Sequence, residues 1–146
     1  MSWRPPNAPA RVLVVTDHDA ATPALLRAIR TRAWSGPAQF VVLVPNPAPA
    51  EWHPFHPERR EKADEAERRL LRALPQIQDA IGGPVRGRVS IRHDPLDAIE
   101  EMLRDEPFDE ILLAVASHGL ARRLHLDLGH RLGHLGLPVT SVPDES

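Results

Sequence analysis

The sequence contains no cysteine, which excludes disulfides, thiolate metal sites and thiol catalysis. It also lacks a strong charge of one sign, since 18 basic and 20 acidic residues give a net charge of −2 at pH 7. No large electrostatic field therefore favours a nucleic acid or a membrane surface as partner. No apolar run approaches the roughly 20 residues that span a bilayer, and the first residues lack the apolar core of a signal peptide. We expect a cytoplasmic protein that binds neither nucleic acid nor membranes.

The 146 residues suffice for one domain with a sizeable core. We expect a disordered, proline-rich leader over residues 1–10 and a single domain over residues 11–143. Continuous apolar runs that stop at small or polar residues predict strands buried on both faces, as in a parallel sheet covered by helices. Such runs are Arg11–Thr16, Phe40–Val44 and Ile111–Val115, and a last short strand is predicted over Val139–Val142.

One further strand differs from these because its apolar and polar residues alternate. From Val85 to Arg92, valine and isoleucine are interleaved with arginine and Ser90, a pattern typical of an edge strand with one wet side. Five strands then alternate with four helical segments, the last running up to Leu135. Right-handed crossovers favour the strand order 3-2-1-4-5. We predict an α/β fold of Rossmann-like type: an open five-stranded parallel sheet with helices on both faces.

Start and stop signals delimit the predicted helices. A capping side chain followed by proline marks two starts, at Thr22-Pro23 and Asp94-Pro95. A long charged helix precedes Gly82-Gly83, which are expected to end it. We expect Pro75 to kink or break that helix near Leu71, because proline removes a backbone donor.

The predicted strand order makes the first and fourth strands neighbours at the point where the winding direction reverses. Ligands bind such sheets there, just past the carboxyl ends of the strands. Thr16-Asp17 and Ser117-His118-Gly119 follow the two strands, so we expect them to face each other across one site. Glycines after a strand let backbone N–H groups approach phosphate oxygens. A helix opening near Gly129 would add its positive end to the same anion.

These residues resemble the signature of the universal stress protein family. In that family the fourth strand is followed by Gly, two residues, Gly, nine residues, and Gly with Ser or Thr. Here the run is Ala116-Ser117-His118-Gly119, nine residues, and Gly129-His130. The family also places an aspartate at the end of the first strand, matched by Asp17. The resemblance extends from about Arg11 to Val142 and implies the universal stress protein type of this fold.

The resemblance implies a module that binds an adenine nucleotide, ATP or AMP with Mg²⁺, in stress response or signalling, and that is not a dedicated enzyme. It implies that the end of strand one contacts adenosine, that the end of strand two lies against adenine, and that the glycine segment wraps the phosphates. The implied nucleotide-binding residues are Thr16, Asp17, Val44, Ala116, Ser117, His118, Gly119, Gly129 and His130. A homodimer through the exposed edge of the last strand, Val139–Val142, is implied as well.

An alternative function depends on two of these positions. Ala116 stands where the family has glycine, and His130 where it has Ser or Thr. The alternative is therefore a paralogue that binds no nucleotide and acts through dimerisation and protein–protein contacts. No catalytic residue is predicted, because the sequence has neither a P-loop nor a nucleophile elbow. No metal site is predicted either, since no glutamate accompanies His130 and His134.

Overall fold

The computed structural model describes residues 8–16, 22–44, 58–90, 95–114, 122, 126 and 137–142. The strands are β1 (Ala10–Thr16), β2 (Ala38–Val44), β3 (Val85–Val89), β4 (Glu110–Ala114) and β5 (Val139–Ser141). The helices are α1 (Pro23–Trp34), α2 (Glu58–Ile81) and α3 (Pro95–Asp105). β1 begins at Ala10, inside the predicted leader. Residues 1–7 of that leader, and most of the helical stretch predicted up to Leu135, lie outside the described residues.

The five strands form one parallel sheet in the order β3-β2-β1-β4-β5. This confirms the predicted fold class and strand order. The chain winds outward from β1 to β3 and then restarts on the other side of β1 at β4. The reversal therefore lies between β1 and β4, where the register pairs Thr16 with Ala114.

Helices cover both faces of the sheet, as the continuous apolar runs predict. On one face Val14 packs in a cluster with Ile29 of α1 and Ile77 of α2. On the other face Leu13 packs in a cluster with Ile99 of α3. All these side chains are fully buried, because successive residues of a central strand point to opposite faces and each face carries a helix.

The structure confirms the predicted start of α1 and the predicted end of α2. The hydroxyl of Thr22 accepts a hydrogen bond from the Leu25 N–H at 3.3 Å, and Pro23 is the first helical residue of α1. Gly82 ends α2 with a φ of 71° and donates its N–H to the Gln78 carbonyl at 2.8 Å. This is the left-handed cap that glycine adopts without steric strain. The predicted cap Asp94 lies outside the described residues.

The expected break at Pro75 does not occur, since α2 continues from Glu58 to Ile81 with the proline inside it. Pro75 is exposed, as is Leu71 one turn earlier. The carbonyl that loses its donor therefore lies on the solvent side of α2, where water can bond to it. No helix among the described residues is both long and apolar enough to cross a membrane.

β3 is an edge strand, as its alternating sequence predicts, but one residue of its predicted wet side is buried. Ser90 is 8% exposed, and its N–H donates to the Val44 carbonyl at 2.9 Å. The prediction that Ser90 faces solvent is therefore wrong. Ser90 follows β3 directly and continues the ladder to β2, so it lies within the sheet's end and not along its open edge.

Candidate functional site

The candidate site lies at the carboxyl edge of the sheet. Along this edge the chain presents, from one strand to the next, Ser90 after β3, Val44 at the end of β2, Thr16 at the end of β1, and Ala114 at the end of β4. Thr16 and Val44 are thus brought to the same edge, as predicted. The other predicted site residues lie outside the described residues and stay predictions: Asp17, Ala116, Ser117, His118, Gly119, Gly129 and His130.

Thr16 joins the two strands at the winding reversal. Thr16 is 1% exposed, and its hydroxyl donates a hydrogen bond to the Ala114 carbonyl at 3.1 Å. The two residues are paired in the ladder and are 98 positions apart in the sequence. The ends of β1 and β4 are therefore connected by a side chain as well as by the sheet.

Val44 is an apolar residue in a fixed position at the end of β2, between the ends of β1 and β3. Its side chain is buried in the cluster that β2 shares with α1 and α2, and its carbonyl accepts the N–H of Ser90. The position is held by core packing on one side and by the β3 ladder on the other. What Val44 offers a ligand is thus a rigid strand end.

Ser90 is a candidate site residue that the sequence analysis missed. Ser90 and Thr16 are the buried polar residues in the described part of the chain, and they lie on either side of Val44. The sequence held one usable signal. Val89, the last residue of β3, pairs with Val44. Ser90 is the next residue, so this serine lies where β3 ends beside the predicted site.

The described part of this edge is uncharged. An uncharged, apolar strand end suits a base or a ribose, whereas a phosphate requires backbone N–H groups or cations. Among the described residues the groups with shifted pKa values lie elsewhere: a hydrogen bond from Arg86 lowers the pKa of Glu106, and the same bond raises that of Arg86. Among the described residues no group of His, Cys, Asp or Glu forms a metal site.

The fold defines a class: open parallel α/β sheets, whose ligands bind where the winding reverses. No protein-family model and no curated protein sequence matches the chain. Solved structures do match it. A universal stress protein from Archaeoglobus fulgidus in complex with dAMP is 18% identical, with a TM-score of 0.62 over 94% of this chain and 99% of that one.

Two more solved structures are similar over nearly their whole length. Another structure of a universal stress protein from Archaeoglobus fulgidus has 17% identity and a TM-score of 0.61, covering 92% of this chain and 95% of that one. A universal stress protein family protein from Arabidopsis thaliana with AMP bound has 18% identity and a TM-score of 0.55, covering 94% of both chains. The chain therefore has the universal stress protein fold, as the sequence resemblance implies.

Proposed function

We propose that this protein binds an adenine nucleotide at the carboxyl edge of its sheet, where β1 and β4 meet. The observation that carries the proposal is the pairing of Thr16 with Ala114. It places the last described residues of β1 and β4 side by side, at the position where parallel α/β sheets hold their ligands. The dAMP and AMP complexes of the two similar proteins support the same ligand class.

The proposed site divides into two sides. The ends of β1 and β2 form the adenosine side, which Asp17 begins and which Thr16 and Val44, both buried, hold in place. The segment from Ala116 to Gly119, with Gly129-His130, forms the phosphate side, because glycines allow backbone N–H groups to approach an anion. ATP or AMP is the proposed ligand, and Mg²⁺ accompanies the phosphates.

The proposed role is that of a cytoplasmic module in stress response or signalling, not of a dedicated enzyme. Isothermal titration calorimetry tests the binding with ATP, ADP and AMP, each with and without Mg²⁺, and with GMP as a matched control for the base. We expect saturable heat with the adenine nucleotides and weaker binding of GMP. Absence of heat with every nucleotide would contradict nucleotide binding and favour the non-binding paralogue.

The proposed dimer forms through the outer edge of β5. In the described sheet β5 lies at an edge and its last two residues are exposed. Pro138 and Val142 bond to β4 through their backbones. Because backbone groups alternate in direction along a strand in a parallel ladder, the N–H of Ser141 points away from β4. Outward backbone groups on an edge strand can pair with a second strand.

Replacing Ser141 with proline is therefore expected to shift the protein to monomer. Proline removes the outward N–H and leaves the bonds to β4 in place, as it does on natural edge strands. Light scattering coupled to size exclusion at micromolar concentration measures the mass. Ser141→Ala keeps the N–H and serves as the control that stays dimeric. A wild-type protein that is already monomeric would contradict the proposed dimer.

A further inference from the structure

Thr16 is nearly inaccessible, although the resemblance places it in the nucleotide site. Its side chain lies in the sheet's end with 1% exposure, and its hydroxyl donates to the main chain of β4. A hydroxyl has one hydrogen to donate. The proton of Thr16 is therefore engaged by the protein itself, which leaves no donor for a base or ribose atom while that bond exists.

The acceptor of this bond lies on the side of β4 that faces β1. The Leu113 carbonyl accepts the N–H of Val142, so it points toward β5. Successive carbonyls of a strand point in opposite directions, and that of Ala114 consequently points toward β1. Ala114 is also the last residue of β4, as Thr16 is of β1. The hydrogen bond therefore joins the two strands at their last residues.

We propose that Thr16 is a positioning residue of the nucleotide site, and that it acts by fixing the end of β1 against the end of β4. This inference rests on the proposed function. The segment after Thr16 begins the adenosine side and the segment after Ala114 leads to the phosphate side. The hydroxyl fixes the distance between the starting points of these two sides. It therefore affects the affinity of ligands that contact both sides.

A positioning role and a direct contact predict different changes in the affinities for adenosine and AMP. Adenosine occupies the adenosine side alone, whereas AMP engages both sides at once. Loss of a positioning bond lowers the affinity for AMP and leaves that for adenosine nearly unchanged. Loss of a direct contact from Thr16 to the nucleoside lowers both affinities by the same factor.

The test compares Thr16→Val with Thr16→Ser. Valine keeps the buried volume and removes the donor, and serine keeps the donor and removes a methyl group. For Thr16→Val we expect AMP affinity to fall about three- to tenfold, the range of one hydrogen bond, with adenosine affinity within about twofold of wild type. For Thr16→Ser we expect both affinities near wild type, although the lost methyl group lowers stability. Thr31→Val, at an exposed position of α1, is the matched control.

A second measurement requires no ligand. The N–H of Ala114 faces β1 in the ladder, so its hydrogen exchange reports opening between the two strand ends. We expect faster exchange in ligand-free Thr16→Val than in wild type or Thr16→Ser. An unchanged rate would overturn the positioning role, and so would an equal loss of AMP and adenosine affinity. If wild type binds neither ligand, the proposed function fails, while the exchange rates still decide whether Thr16 joins the two strand ends.

Discussion

Replacing Gly87 with alanine is expected to lower the free energy of unfolding by about 1–3 kcal/mol, the usual effect of overpacking a core. A Cβ at this position would lie 2.7 Å from Cδ2 and 3.0 Å from Cγ of Leu70. Leu70 is buried on the face of α2 that packs against β3. The methyl group therefore forces either the leucine out of its rotamer or the helix away from the strand.

A double-mutant cycle in urea denaturation tests this contact. Leu70→Ala alone leaves a cavity and is expected to lower the free energy of unfolding by about 2–5 kcal/mol. In that background the added methyl group has room, so Gly87→Ala becomes neutral or slightly stabilising, because alanine loses less backbone entropy than glycine. The control Gly36→Ala meets no atom within 4 Å. Additive effects of the two substitutions would contradict the proposed clash.

The contact between Gly87 and Leu70 also shows where prediction from sequence ends. The alternating pattern of Val85–Val89 correctly places β3 at an edge, because one wet face leaves a period of two in the sequence. In the same pattern Gly87 is only an interruption of the alternation. A glycine is required there because α2 lies close to β3. The distance between two elements leaves no periodic signal in the sequence of either one.

The strands buried on both faces were the most predictable part of the fold. Burial on both faces requires apolar residues throughout such a strand, so it can be recognised from one short segment of sequence. The right-handed crossover then restricts the order of the strands. Pro75 was less predictable, because the sequence gives the missing donor but not the direction of the orphaned carbonyl. Exposure on the outer side of α2 decides that the helix continues.

For the site, the sequence locates the edge but not the bonds across it. Thr16 and Val44 follow from strand ends and from the resemblance, and the structure places both at the carboxyl edge. The bond from Thr16 to Ala114 spans 98 positions, and Ser90 is buried where its N–H donates to Val44. Such side-chain roles depend on which strand ends become neighbours, so they emerge only with the sheet's register.

Glu106 connects three elements at the opposite edge of the sheet. It follows α3, accepts two hydrogen bonds from Arg86 of β3 at 3.0 and 2.7 Å, and accepts a third from Arg11 of β1 at 2.7 Å. The Arg11 guanidinium also lies 5.3 Å from the centre of the Phe108 ring. The hydrogen bonds from Arg86 lower the pKa of Glu106, against the opposing effect of partial burial, and Arg11 lowers it further.

Glu106→Gln is expected to lower the free energy of unfolding by about 1–2 kcal/mol at about pH 7, since it removes charge-assisted bonds of which one partner, Arg86, is largely exposed. A carboxylate with a lowered pKa in the folded state stabilises the fold above its unfolded pKa of about 4.3, and that stability is lost as the pH falls through the folded value. The difference between wild type and Glu106→Gln should therefore shrink below about pH 4.

Urea denaturation of both proteins across this pH range measures the difference directly. Glu65→Gln is the matched control, because Glu65 pairs with Arg69 on the surface of α2 with both side chains about half exposed. An exposed pair of this kind contributes about 0.5 kcal/mol or less. If Glu106→Gln behaved like this control, or if its effect persisted unchanged in acid, the charge of Glu106 would not be what holds β1, β3 and the end of α3 together at this edge.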